Sequence, residues 1–307
     1  MYKKIFKKKK MVGVALVLIM LTYVYASSSV YAKNSGSIPT VEETIVTPVE
    51  EELAANECLA VEQLQADESS IIEPIPLPLV QSMTQAQASP TSLYQDTEYD
   101  SFFEHTVFVG DSLTVGFSNY CENHSNTIAT DTTYFLAKTS CSAQIALSSK
   151  ALTTHADVMP SYNGKVQYIE DSISQMTDVE KVFICFGMND LVTSTPSQYV
   201  SNMETLIERI LTKSPQVSIY VISIPCIIET VQSGQLSNDS IQAANSLMQT
   251  TCETKGWGFV NLAEYLMNAQ MAIYPEYSSD GYVHENSSAY AIWIKVLRNY
   301  AYKDMTL

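Results

Sequence analysis

Three short polar stretches contain residue types that together could form and break an acyl bond. Ser112 follows a Gly-Asp pair after an apolar run, Asn189 follows a second apolar run, and Asp280 precedes His284 on one late stretch. A serine hydroxyl becomes a nucleophile when an imidazole accepts its proton and a carboxylate orients that imidazole. A side-chain amide can donate a hydrogen bond to the oxyanion that then develops. These residue types therefore favour acyl transfer chemistry.

Each stretch alone also has an ordinary structural interpretation. Asp111 or Ser112 could serve only as the N-cap of a following helix. Asn189 and Asp190 could simply form a turn before the next helix, with no chemical role. The other histidines have no carboxylate at comparable spacing and are interpreted as structural or surface residues: His105, His124 and His155. The chemical interpretation depends on the three stretches occurring together.

From about residue 101 onward, short apolar runs alternate with segments of helical periodicity. The predicted strands are 106–109, 133–137, 181–186, 218–224 and 258–262, and the predicted helices are 112–121, 165–176, one beginning at Pro196, 239–255 and 287–300. This alternation predicts an α/β fold with a parallel sheet covered on both faces. Sites in such folds lie beyond the carboxyl ends of the strands. Ser112 and Asn189 are both expected there.

In this order, the three stretches resemble the conserved blocks of the SGNH or GDSL hydrolase family. The stretch 109–113 (VGDSL) is similar to the first block, 187–190 (GMND) to the third, and Asp280 with His284 to the last. The resemblance covers approximately 103–302. It implies a flavodoxin-like three-layer α/β/α sandwich with an open, shallow site and no cofactor.

The resemblance also implies a role for each residue. Ser112 would be the nucleophile, His284 the base that takes its proton, and Asp280 the carboxylate that orients the imidazole. The oxyanion would be held by the N–H of Ser112 and the side chain of Asn189.

Two departures from the family pattern bear on these roles. The family has a glycine after its second strand as a third oxyanion donor, whereas 135–142 (FLAKTSCS) contains none. Ser140 is the expected equivalent, because the role needs only a backbone N–H. The second departure is three residues, instead of two, between Asp280 and His284. A local bulge could absorb the extra residue, and a Ser-His dyad without Asp280 is the alternative.

The N-terminal third has a different composition. Six of the 17 basic residues are lysines within the first ten positions, and an apolar run follows. Residues 1–32 are therefore predicted to be an export signal, with an uncleaved membrane anchor as the alternative. Residues 33–100 are acidic and proline-containing and are predicted to be an extended spacer. The hydrolase domain is predicted to span 101–307.

The net charge of −16 disfavours nucleic acid as a partner, because an acidic surface repels phosphates. No Cys/His cluster is present, so no metal site is expected, and no disulfide is assigned. Cys185 and Cys226 lie within apolar runs and are expected to be buried.

The sequence thus predicts a secreted or cell-surface serine ester hydrolase. Its expected substrate is an ester-bearing small molecule or glycan of the cell envelope, and its N-terminus could tether it to the membrane or cell wall. Two alternatives stay open at this point. One is a non-catalytic surface binding protein on the same fold, and the other is an acyltransferase that uses the same serine and histidine.

Overall fold

The structure is a computed structural model that describes residue 93, residues 97–232 and residues 235–306. All of these belong to one compact unit, Ser82–Leu307. The predicted export signal (1–32), nearly all of the predicted spacer (33–100) and Cys58 lie outside the described residues. The domain boundaries drawn from the sequence stay predictions.

Five parallel strands form the central sheet, and two short strands form a separate antiparallel hairpin. They are β1 (Thr106–Gly110), β2 (Thr133–Ala137), β3 (Ser161–Tyr162), β4 (Lys165–Val166), β5 (Lys181–Cys185), β6 (Ser218–Ile222) and β7 (Gly258–Val260), of which β3 and β4 make the hairpin. The sheet order is β2-β1-β5-β6-β7. Without the hairpin, this is the 2-1-3-4-5 order of flavodoxin-like sheets. The order reverses at β1, which is where such folds bind ligands.

Seven helices among the described residues cover the sheet in two layers. They are α1 (Ser112–Asn123), α2 (Ala143–Leu147), α3 (Ile169–Ser174), α4 (Pro196–Lys213), α5 (Asn238–Lys255), α6 (Ala263–Leu266) and α7 (Ser287–Thr306). Helix α1 packs with α7, whereas α4 packs with α2, α3 and α5. The predicted α/β class with helices on both faces is confirmed. None of the described helices is sufficiently long and apolar to span a membrane.

Helix α4 shows how the sequence specifies one of these layers. Thr195 and Gln198 form a reciprocal capping box, and Pro196 occupies the first turn. The apolar positions recur at helical spacing and are all buried against the core: Tyr199, Met203, Leu206, Ile207 and Ile210. Burial of each such side chain stabilises the fold by roughly 1.5–3 kcal/mol relative to exposure.

The predicted helix at 165–176 is wrong over its first turn. Strand β4 occupies that turn and pairs with β3, and α3 begins only at Ile169. The two strands are joined by Asn163 and Gly164, which have positive φ angles of 50° and 74°. Asn-Gly favours this backbone conformation in two-residue hairpins. The turn chemistry therefore overrides the helical periodicity.

A 3₁₀ helix, Thr97–Phe103, precedes β1 and packs against α7. Asp100 in this helix accepts hydrogen bonds from Arg298 Nε at 2.8 Å and Nη2 at 2.7 Å. The Arg298 side chain is only 5% exposed. This two-point ion pair holds the 3₁₀ helix, and with it the chain that leads into β1, against α7. The helix spans the predicted boundary at residue 101.

We expect Arg298→Ala to lower the free energy of unfolding by about 3 kcal/mol, because it leaves the partly buried Asp100 carboxylate without its cation. Urea unfolding measures the change. Lys255→Ala is the control, since Lys255 pairs with Glu204 and Glu208 on an exposed surface and should cost less than about 1 kcal/mol. Equal losses in the two variants would show that the Arg298 pair is not structural.

Candidate active site

The turn from β1 into α1 presents Ser112 as the first helical residue. Asp111 is the N-cap, and its Oδ1 accepts a hydrogen bond from Leu113 N at 3.0 Å. Asp111 is buried, whereas Ser112 is half-buried. The structure is therefore compatible with both interpretations of this stretch, because Asp111 caps the helix while Ser112 is the residue suited to chemistry.

Ser112, His284 and Asp280 lie in hydrogen-bond contact. His284 Nε2 is 3.1 Å from Ser112 Oγ, and His284 Nδ1 is 2.7 Å from Asp280 Oδ2. A carboxylate accepts only, so Nδ1 carries the proton and donates it to Asp280. Nε2 is then the acceptor for the Ser112 hydroxyl. This is the arrangement in which a histidine can remove a proton from a serine.

The loop between Asp280 and His284 accommodates its extra residue through one compact turn. Asp280 Oδ1 accepts the N–H of Tyr282 at 2.7 Å, which closes an Asx turn. Gly281 in this turn has a φ of +72°, a left-handed conformation that glycine adopts without strain. The longer spacing therefore still places the Asp280 carboxylate beside the imidazole.

The pKa values of the pair move in opposite directions. The hydrogen bond to Asp280 raises the pKa of His284 above 6.5. Burial pushes the pKa of Asp280 upward, but the hydrogen bonds from His284 and Tyr282 outweigh it and hold that pKa below 3.8. The side chains of His284 and Asp280 are 45% and 36% exposed. The pair therefore lies on an open surface rather than in an enclosed cavity.

Asn189 lies in the loop that follows β5, and both hydrogens of its amide are used within the protein. Nδ2 donates to Asp111 Oδ2 and to the carbonyl oxygen of Cys141, each at 3.1 Å. A substrate oxyanion must share or displace one of these two acceptors, because the amide nitrogen has only two hydrogens. The backbone N–H groups of Ser112 and Ser140 have no acceptor among the described residues.

Ser140 adopts a left-handed backbone conformation, which a glycine would adopt without strain. Its φ is +64°, which costs a residue with a side chain roughly 1–2 kcal/mol. The loop is joined to the site by the bond from Asn189 to Cys141, the next residue. The role of the Ser140 N–H as a third donor stays a prediction.

If the backbone N–H of Ser140 is a donor, Ser140→Gly should keep kcat within about threefold of the wild type, because glycine retains that N–H. Thermal unfolding should occur at an equal or higher temperature, since the left-handed strain is relieved. Hydrolysis of a nitrophenyl ester and a melting curve measure the two effects. A large loss of kcat in a folded protein would instead assign a chemical role to the Ser140 hydroxyl.

Two buried carboxyl groups border the site, and their long-range partners are not apparent from the sequence. Burial raises the pKa of Asp111 to about 7 and that of Asp190 to about 6, although the hydrogen bonds that each accepts oppose the shift. In the sequence these residues show only the signals of a cap and a turn. Their position beside Ser112 and Asn189 is the one clue that they belong to the site.

Comparison with known proteins identifies the family. The sequence profile of the GDSL-like lipase/acylhydrolase family matches residues 108–292, more than half of the chain. The chain belongs to this family. The matched segment of this chain includes Ser112, Ser140, Asn189, Asp280 and His284. A search of curated proteins finds no match.

Solved structures with a similar chain trace include three bacterial proteins. A GDSL-like lipase from Bacteroides thetaiotaomicron is 15% identical, with a TM-score of 0.47, and the match covers 70% of this chain and 94% of the lipase. A carbohydrate acetylesterase from Sinorhizobium meliloti is 15% identical, with a TM-score of 0.45 and coverage of 65% and 98%. An aryl esterase from M. smegmatis is 11% identical, with a TM-score of 0.43 and coverage of 66% and 99%.

Proposed function

We propose that this acylhydrolase cleaves carboxylic esters through an acyl-enzyme on Ser112. The observation that carries the proposal is the continuous contact from Asp280 through His284 to the Ser112 hydroxyl. A non-catalytic binding protein on the same fold would not need this contact. The geometry of the three residues supports the role that we propose for each.

In the proposed reaction, Ser112 Oγ attacks the ester carbonyl carbon while its proton passes to His284 Nε2. The oxyanion accepts hydrogen bonds from the N–H groups of Ser112 and Ser140 and from the Asn189 amide. The imidazolium gives its proton to the leaving alkoxide, which yields the free alcohol and an acyl-Ser112. Water then attacks the acyl carbon while His284 Nε2 takes one of its protons. The imidazolium returns that proton to Ser112 Oγ as the bond between Oγ and the acyl carbon breaks, so the acid leaves and Ser112 is restored.

A fluorophosphonate probe tests the proposed nucleophile in the full chain. An activated serine displaces fluoride from phosphorus and becomes phosphonylated. We expect one probe per chain, on the peptide that contains Ser112, and protection by an added ester. Labelling of another residue would contradict the proposal, and no labelling of the folded chain would favour the binding-protein alternative.

The proposed substrate is an acylated carbohydrate or another cell-envelope ester, hydrolysed outside the cell. The exposure of His284 and Asp280 supports a polymeric substrate, because an open site admits a chain that passes across it. The lysine-rich, apolar N-terminus supports export. Release of acid from an acetylated polysaccharide should exceed release from a long-chain triglyceride. The reverse preference would indicate a lipase, and transfer of the acyl group to an added alcohol in preference to water would indicate an acyltransferase.

The raised pKa of His284 predicts an acidic limit to activity. His284 must be neutral to accept the Ser112 proton, so kcat/KM should fall as the pH decreases through a value above 6.5. Asp280→Asn removes the main cause of that shift. This variant should move the limit to lower pH and reduce kcat by up to about 10⁴-fold.

A pH–rate profile of both proteins measures these effects. The control is Asp239→Asn at the exposed start of α5, which should leave the profile unchanged. An unaltered rate in Asp280→Asn would instead support a Ser-His dyad.

A further inference from the structure

Two loops carry the oxyanion donors that lie outside α1. One follows β2 and contains Ser140, and the other follows β5 and contains Asn189. Hydrogen-bond donors stabilise an oxyanion only when they converge at about 2.7–3.1 Å on one oxygen. The distance between these two loops therefore decides whether both donors can reach the same oxyanion.

Asp190 uses both of its carboxylate oxygens to join its own loop to the start of α2, the helix that directly follows the loop of Ser140. Oδ1 accepts the backbone N–H of Gln144 at 3.0 Å, and Oδ2 accepts that of Ala143 at 3.3 Å. The bond from the neighbouring Asn189 to the carbonyl oxygen of Cys141 adds a third connection between the loops. Three hydrogen bonds therefore link the adjacent residues Asn189 and Asp190 to Cys141 and to the first two residues of α2.

The carboxyl group of Asp190 is fully buried, and the partners that hold it are backbone N–H groups. Burying a carboxylate is unfavourable, and these bonds offset that cost only while both N–H groups are aimed at its two oxygens. Among the described residues, this carboxylate accepts hydrogen bonds from Ala143 and Gln144 and not from Ser112 or His284. Asp190 is thus suited to fix a loop rather than to react.

We propose that Asp190 is a positioning residue that sets the oxyanion hole. It holds the loop of Ser140 at the distance from Asn189 at which both donors reach one oxygen. The inference rests on the proposed function, because it needs an oxyanion to stabilise. It assigns Asp190 an effect on the transition state and little effect on substrate binding.

Asp190→Asn tests this inference in the full chain. An Asn amide offers one oxygen to two N–H donors and turns its own N–H groups toward the other, so the loop loses one anchor. We expect kcat for p-nitrophenyl acetate to fall by about 30–100-fold, with KM changed less than about threefold, as for loss of part of an oxyanion hole. A folded Asp190→Asn protein with wild-type kcat, or one in which only KM changes, would overturn the proposal.

Ala143→Pro provides a second variant that leaves Asp190 intact. It removes the N–H that Oδ2 accepts, at the first position of α2, where proline fits a helix. It should lower kcat in the same way, and an unchanged kcat would count against the inference. The matched control is Glu170→Gln in α3, another buried carboxyl group, which should leave kcat unchanged.

A double variant separates positioning from general damage. If Asp190 acts through the hole, Asp190→Asn should reduce kcat much less in an Asn189→Ala background than in the wild type. Multiplicative losses would contradict the proposal. If Ser112→Ala leaves turnover intact, the proposed function itself fails. If Ser112→Ala abolishes turnover while Asp190→Asn does not alter kcat, only the positioning role fails.

Discussion

Ser112→Ala is expected to reduce kcat for ester hydrolysis by about 10⁵-fold or more, because no other group replaces the nucleophile. The Ser112 hydroxyl lies 3.1 Å from His284 Nε2, so its loss also leaves the base without a proton to remove. Residual acceleration should come from the oxyanion donors and from substrate binding. Stopped assays with p-nitrophenyl acetate and p-nitrophenyl butyrate measure the loss.

The matched control is Ser118→Ala. Ser118 lies in the same helix, α1, and the substitution removes the same hydroxyl group away from the three polar loops. Its kcat and melting temperature should stay close to those of the wild type. Similar turnover by the Ser112→Ala and wild-type proteins would remove the basis of the proposed mechanism.

Asn189→Ala is also expected to have a large effect on kcat. Loss of one oxyanion donor typically lowers kcat by about 10²–10³-fold, which is near 3 kcal/mol of transition-state stabilisation. KM should change little, because the donor acts on charge that develops only in the transition state. Michaelis–Menten analysis of the folded variant separates kcat from KM.

Asn189→Ala should also lower stability, since Asp111 Oδ2 and the Cys141 carbonyl each lose a donor. Asn245→Ala is the matched control. Asn245 is a buried asparagine whose side-chain amide accepts a hydrogen bond from the N–H of Ile224 and donates one to its carbonyl oxygen. Its loss should cost about 1–3 kcal/mol of stability but leave kcat unchanged. A comparable fall of kcat in the two variants would indicate a structural role for Asn189.

The sequence predicts most of the strands because central parallel strands are buried on both faces and appear as uninterrupted apolar runs. It also predicts the buried cysteines Cys185 and Cys226 and the end of α5 at Lys255, which the structure caps with Gly256 at a φ of +72°. The hairpin of β3 and β4 is missed because β4 lies at the start of the segment predicted to be a helix (165–176), directly after the Asn163-Gly164 turn. In that segment the turn-forming residues, rather than the helical periodicity, determine the local structure.

For the site, the order of Ser112, Asn189 and His284 along the chain suggests which residues meet, but not how they are held. The contact of Asn189 with Asp111 joins positions 78 residues apart, and nothing in the local pattern of either residue indicates it. The same is true of Asp190 and the N–H groups of Ala143 and Gln144. Such contacts depend on strand order, and a sequence of alternating strands and helices is compatible with several orders.

The most direct test of the central claim is to trap the acyl-enzyme. The full chain is mixed with p-nitrophenyl acetate, quenched in acid within the first turnover, digested and examined by mass spectrometry. The mechanism predicts an acetyl group on Ser112 and its absence in Ser112→Ala. An acetyl group on another residue that turns over at the rate of hydrolysis would contradict the assignment of Ser112 as the nucleophile.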